Sequence, residues 1–138
     1  MDASTALVTS STSYHIGAIF ILVGIILFNY YTVQKSDNFF VMAKRLKKIT
    51  PYFHSFNFIV AYTGAVLAGF THDLNPTVIL MIPVALFVMI TEIKRYKKMR
   101  VIRTTDIELQ EEFKLFATKI YNMQLMAITF MFVIAKLF

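Results

Sequence analysis

Three histidines are the residues of this sequence best suited to chemistry. His15 opens an uncharged apolar run, His54 lies near the start of a second run, and His72 follows the end of that run. A neutral imidazole is a good axial ligand for haem iron. Because His15 and His72 are expected at the same depth on neighbouring helices, they are candidates to bracket one iron. The alternative is that His15 is an interfacial residue like Tyr14 beside it and that His72 is an exposed loop residue.

His54 is expected at a different depth in the membrane from His15 and His72. It is five helical turns from His72, about 27 Å along a helix axis, so the two cannot share a metal. Asn57 lies on the same face, three residues later. The pair either accepts a proton from a substrate entering from the cytoplasmic leaflet or supplies interhelical hydrogen bonds to Glu92 or Lys119. The second interpretation is the one that membrane packing favours.

The elements that position these residues are indicated by the composition. The 138 residues have a mean hydropathy of +0.62, with 57% hydrophobic and 16% charged residues. Average soluble domains contain about 25% charged residues, so this chain is typical of an integral membrane protein with a single domain. It has no cysteine, which excludes disulfides, thiolate metal sites and a cysteine nucleophile.

Four apolar runs predict an all-α fold, an integral membrane four-helix bundle. They cover about 15–33, 51–71, 76–96 and 112–138. Each is close to the length that crosses the hydrocarbon core, and only a helix satisfies its backbone groups inside lipid. No charge is predicted deep in the midplane, which argues against a transporter or channel.

The basic residues predict the topology of this bundle. They concentrate in two loops, about 34–50 and 97–111, and every Lys and Arg except Lys136 is expected on that side. The positive-inside rule therefore places both loops in the cytoplasm and both termini outside, as in a bacterial inner membrane protein. The positive charge indicates anionic lipid headgroups as partners, and we expect no nucleic acid partner.

Two regions beside the apolar runs carry further expectations. Apolar residues recur at helical spacing among the lysines of 37–50, which predicts an amphipathic helix at the membrane interface. Glu92, followed by Lys94 and Arg95, is expected at a solvated helix end with a weak ion pair. Small residues of the second run, Gly64 and Gly69 among them, predict close helix packing.

The chain also resembles a known family over residues 14–138, the HemJ-type protoporphyrinogen oxidases with the related CopD-like membrane proteins. His15 in YHIGAIFILVG matches a histidine early in the family's first helix. VMAKRLKKITP (41–51) is similar to the basic stretch that follows that helix. EEFKLFATKIYNMQLMAITFMFVIAKLF (111–138) resembles the family's closing segment, with an acidic-aromatic start and a lysine close to a final phenylalanine.

The resemblance implies oxidation of protoporphyrinogen IX to protoporphyrin IX, late in haem synthesis, with bound haem b passing electrons toward the quinone pool. His15 would then be an axial ligand of the haem iron. Lys44 and Arg45, with their basic neighbours, would attract the propionates of the porphyrinogen. The positive-inside rule explains the same charges without a substrate.

Departures from the family pattern support an alternative. The family's first helix carries a tryptophan and then a proline–arginine pair, where this chain has LFNYY and no tryptophan. The family's third helix begins with a histidine–x–lysine element, where this chain has TVILMIP. The chain is therefore either a divergent oxidase or a non-catalytic small subunit of a larger membrane complex, and homo-oligomers are compatible with both.

Overall fold

All regular secondary structure in the described part of the chain is helical. The computed structural model describes residues 3–71, 76–103 and 105–137. Their helices are α1 (Ala3–Lys35), α2 (Phe39–Thr71), α3 (Pro76–Arg100) and α4 (Ile107–Leu137). α1 contacts α2 and α4, and α3 contacts the same two helices. Consecutive helices are therefore neighbours around the bundle, and the predictions of an all-α fold and of four helices are confirmed.

α1 extends well beyond the apolar run that predicted it. It begins at Ala3 rather than near residue 15, and polar residues fill its first turns. The hydroxyl groups of Thr9 and Thr12 donate to carbonyl oxygens one turn earlier, at 3.0 and 2.8 Å, so these residues continue the helix instead of ending it. With 33 residues each, α1 and α2 are about 50 Å long, which exceeds the ~30 Å hydrocarbon core of a bilayer.

The predicted basic loop 34–50 is mostly helix. Only 36–38 separate α1 from α2, and the Asn38 side-chain oxygen accepts the Phe40 N–H at 2.9 Å, which caps the start of α2. The expected amphipathic helix 37–50 is thus the first part of α2, with Met42 and Leu46 fully buried. Likewise, the predicted loop 97–111 is reduced to 101–106, because α3 continues to Arg100 and α4 begins earlier than expected.

The hydrophobic core lies toward the end of the bundle where 36–38 and 101–106 connect the helices. All four helices contribute to it. Its buried members are Leu22, Ile26, Val33, Met42, Leu46, Phe53, Val88, Met99, Phe113, Ala117 and Tyr121. Phe39 packs edge-on against Phe113 with ring centroids 5.8 Å apart. The buried apolar side chains therefore concentrate at this end of the bundle.

The outer surface of the bundle is apolar. In the described part of the chain, two helices are long and apolar enough to cross a membrane, over Thr5–Lys35 and Ile107–Leu137. Every helix also presents large apolar side chains outward. Examples, one from each helix, are Phe20 (63% exposed), Phe58 (68%), Ile82 (63%) and Met126 (70%). That all four helices cross a membrane stays a prediction.

Candidate functional site

His15 packs between α1 and α2 with one ring nitrogen fully engaged. Its Nδ1 lies 3.0 Å from the Val60 carbonyl oxygen and 2.9 Å from the Thr63 hydroxyl oxygen. The Thr63 hydroxyl donates its own hydrogen to the Ile59 carbonyl oxygen at 2.7 Å. Both partners of Nδ1 therefore act as acceptors, and Nδ1 must carry the proton. In the neutral ring, Nε2 then holds the free lone pair.

Gly64 makes this position of the ring possible. A Cβ atom at residue 64 would lie 3.2 Å from His15 Cε1, closer than ordinary van der Waals contact. At Gly69, by contrast, nothing lies within 4 Å of such an atom. The small residues of α2 were expected to permit close packing. For Gly64 the close neighbour is the imidazole itself.

The tautomer of His15 is the one that metal-bound histidines use. Metal-bound histidines commonly donate the other ring N–H to a backbone carbonyl, which fixes the tautomer and the ring orientation. The Val60 carbonyl supplies this arrangement. The proposed second ligand, His72, lies outside the described residues. The described residues contain no group of three or more His, Cys, Asp or Glu side chains that could hold a metal ion by themselves.

His54 and Asn57 do not form the predicted pairs. His54 is half-buried, and its ring packs edge-on against Phe53 at 5.7 Å between centroids. Asn57 is buried at 8% exposure. Neither side chain hydrogen-bonds to Glu92, to Lys119 or to any other described residue, so the expectation of interhelical hydrogen bonds is wrong for the described part of the chain. The ion-pair partner of Glu92 is instead Arg95, on its own helix.

The ion pair expected at Glu92 forms with Arg95, but it lies in the bundle core and not at a solvated helix end. Glu92 and Arg95 are both 0% exposed, and Arg95 donates to Glu92 Oε1 through Nη2 at 2.6 Å and through Nε at 3.1 Å. Arg95 Nη2 also donates to the Thr50 hydroxyl at 3.3 Å, and its guanidinium carbon lies 5.9 Å from the centre of the Tyr121 ring. The expectation of a solvated Glu92 is wrong, because α3 turns both side chains toward α2 and α4.

Helical spacing was the signal that could have indicated the burial of this ion pair. Val88, Glu92, Arg95 and Met99 recur every three or four residues, so they share one face of α3. Val88 and Met99 are core residues. The charged residues between them must therefore enter the core as well.

Several buried polar side-chain atoms have no hydrogen-bond partner among the described residues. They are both side-chain atoms of Asn29, Glu92 Oε2, the Tyr121 hydroxyl and Gln124 Oε1. The amide nitrogen of Gln124 does donate, to the Thr91 hydroxyl at 3.0 Å. Leaving a buried polar group unpaired costs about 1–3 kcal/mol. Burying these groups costs more than burying apolar side chains would, which makes them further candidates for function.

The basic residues proposed for substrate attraction separate into two groups. Lys44 lines a cleft of about 550 Å³ between the start of α2 and the end of α3, together with Lys47, Arg100 and Arg103. Arg45 is exposed and does not line this cleft. Of the two predicted residues, only Lys44 therefore belongs to a concave site.

A shallow groove of about 400 Å³ opens between α3 and α4. Its lining is apolar, formed by Pro83, Val84, Phe87, Met123, Met126 and Ala127. It contains no polar group that would orient a small-molecule substrate. Its shape and lining are those of a surface against which an apolar chain or helix packs.

Comparison with known proteins does not assign this chain to a family. No family model matches this chain, and neither a curated protein nor a solved structure matches it. The resemblance to the HemJ-type oxidases therefore stays a prediction.

Proposed function

We propose that this chain is an integral membrane protein whose four helices cross the bilayer, with both termini outside and 36–38 and 101–106 in the cytoplasm. Support comes from the apolar side chains that every helix presents outward. In a soluble bundle these faces would carry polar residues. Further support comes from the clustering of Lys and Arg at one end of the bundle.

We further propose that it is a HemJ-type oxidoreductase that holds haem b through His15 and converts protoporphyrinogen IX to protoporphyrin IX. The observation that carries this proposal is the hydrogen-bonding of Nδ1. The Val60 carbonyl and the Thr63 hydroxyl oxygen keep the proton on Nδ1, so Nε2 is the nitrogen available to a metal.

The residues of this chain have defined tasks in the proposed reaction. Haem b, when bound, would supply an iron that accepts single electrons from the substrate and passes them toward the quinone pool. Val60 and Thr63 hold the imidazole in one tautomer, and Gly64 allows it to lie close to α2. Lys44 is placed to attract a carboxylate of the porphyrinogen to the cytoplasmic end of the bundle.

The test compares His15→Ala with His54→Ala. Both histidines are half-buried, but the ring of His54 makes no hydrogen bond to a described residue and lies toward the other end of the bundle. The purified wild-type protein should show a b-type reduced-minus-oxidised spectrum and form protoporphyrin with a quinone as acceptor. His15→Ala should lose both signals, and His54→Ala should keep the spectrum. Unchanged haem content in His15→Ala would refute the proposal.

The apolar groove at Pro83 favours a second candidate function, that of a non-catalytic subunit of a larger membrane complex. A groove lined only by apolar side chains is what a helix of another membrane protein would cover. Under this candidate the purified protein is colourless and cannot be reconstituted with haem. Ala127→Trp, which fills the groove, would then release the chain from the complex, whereas His15→Ala would not.

A further inference from the structure

The cleft between α2 and α3 combines an apolar floor with a cationic rim. Phe39, Ala43, Met99 and Ile102 contribute apolar surface. Phe39 and Met99 continue into the hydrophobic core. A ligand of this cleft would therefore have an apolar part that lies against these residues, and the volume of about 550 Å³ is within the usual range of small-molecule sites.

The rim of this cleft carries four positive charges from two separate segments. Lys44 and Lys47 come from one face of α2, while Arg100 and Arg103 come from the end of α3 and the residues after it. No Asp or Glu lines the cleft, and none of the four forms an ion pair with a described residue. The Asp106 carboxylate accepts the backbone N–H of Arg103 at 3.0 Å, so one carboxylate lies beside the rim. The four cationic side chains outnumber it, and their complement is an anion of more than one charge.

The position of the cleft along the bundle axis can be measured on α3. Tyr96, which also lines it, is about 30 Å along the helix axis from Pro76, at the rise of an α-helix. This distance equals the thickness of the hydrocarbon core. If α3 crosses the bilayer from Pro76, the cleft lies at the level of the cytoplasmic headgroups.

We propose that this cleft binds an anionic phospholipid of the cytoplasmic leaflet, with phosphate oxygens on the four cations and the first acyl carbons on the apolar floor. The positive-inside rule explains why cations are at this end of the bundle, but not why four of them surround one apolar cleft. Basic pockets between membrane helices bind lipids with more than one phosphate group, such as cardiolipin, which has two phosphodiesters. The inference rests on the membrane placement proposed above and does not depend on haem, but it competes with the porphyrinogen for Lys44.

The experiment is native mass spectrometry of the delipidated protein titrated with cardiolipin or with phosphatidylcholine. The test variant is Lys47→Gln/Arg100→Gln, which removes one rim charge from each helix. The matched control is Lys48→Gln/Lys97→Gln, which removes one charge from each of the same helices. Lys48 and Lys97 are exposed and do not line the cleft.

We expect the wild-type protein to bind cardiolipin more tightly than phosphatidylcholine. Each cation near an anionic lipid contributes about fivefold in affinity, so the test variant, which lacks two, should bind cardiolipin about 25-fold more weakly. The control should lose less than twofold. Equal losses in the two variants, or equal binding of phosphatidylcholine, would overturn the proposal.

Alkaline carbonate extraction of membranes that contain the chain separates this failure from that of the membrane placement. A chain released by carbonate refutes the placement and the lipid site together. A chain that stays in the membrane but binds the two lipids equally refutes the lipid site alone. Porphyrin binding that is reduced in the test variant, with cardiolipin binding unchanged, would assign the cleft to the substrate and overturn the lipid proposal.

Discussion

The substitution Gly64→Ala tests the position of the His15 ring most directly. The added Cβ would lie 3.2 Å from Cε1 of the imidazole, so the ring must move away from α2 by a few tenths of an ångström. The two hydrogen bonds of Nδ1, now 3.0 and 2.9 Å long, would lengthen as the ring moves. A hydrogen bond contributes about 0.5–1.5 kcal/mol net, so weakening two of them offsets the gain of about 1 kcal/mol expected from replacing glycine by alanine in a helix.

Gly69→Ala is the matched control on the same helix, because a Cβ at residue 69 meets no atom within 4 Å. We expect Gly69→Ala to raise the free energy of unfolding in detergent by up to about 1 kcal/mol, as the propensity difference predicts. Gly64→Ala should show about 1 kcal/mol less gain than this control. The assay is thermal or denaturant unfolding followed by circular dichroism.

The same pair of variants tests the haem proposal. Changes to groups that orient a metal ligand typically lower metal affinity by about 10–100-fold. Gly64→Ala should therefore bind haem at least about tenfold more weakly than Gly69→Ala in a spectroscopic titration. If the two variants match in both stability and haem affinity, the ring does not lie against Gly64 and the reasoning from this contact is refuted.

Three further predictions concern buried polar groups. Glu92→Leu and Arg95→Met should each lower the free energy of unfolding by about 3–5 kcal/mol, because each leaves a buried charge unpaired, whereas the double variant should lose less than either. Denaturant unfolding of the three variants measures this, and additive losses would contradict it. Asn29→Leu should raise the melting temperature, because both polar atoms of this fully buried amide lack a described partner. A lower melting temperature would mean that the amide is paired, for example with internal water. Thr63→Val removes one acceptor of His15 Nδ1 and keeps the Val60 carbonyl, so it should weaken haem binding less than His15→Ala in the same titration. Equal losses in these two variants would show that the carbonyl alone does not orient the ring.

The predicted helices were right in number and in approximate place, since hydrophobic runs of this length are a local property of the sequence. The end of α2 at Thr71 and the start of α3 at Pro76 were predicted. The starts of α1, α2 and α4 were not, because capping and hydroxyl back-bonding let polar residues continue a helix. Asn38 shows this at the start of α2, and Thr9 and Thr12 show it in α1.

The candidate site was predicted in part. His15 was singled out by its residue type and its place before an apolar run, but its partners Val60 and Thr63 are 45 and 48 residues away in sequence. Nothing in the local pattern identifies which carbonyl will face the ring. The predicted pairs of His54 did not form, and the carboxylate of Glu92 pairs instead with Arg95 on its own helix.

The sequence by itself determined the class of this protein. Its hydropathy and the lengths of its apolar runs predict four helices, and the one-sided distribution of Lys and Arg predicts which end of the bundle faces the cytoplasm. The tertiary structure alone decided which polar groups are buried and what they contact. The rotation of each helix about its axis turns Glu92 and Arg95 into the core and His15 toward Gly64, and that rotation is set by packing against neighbours that are distant in the sequence.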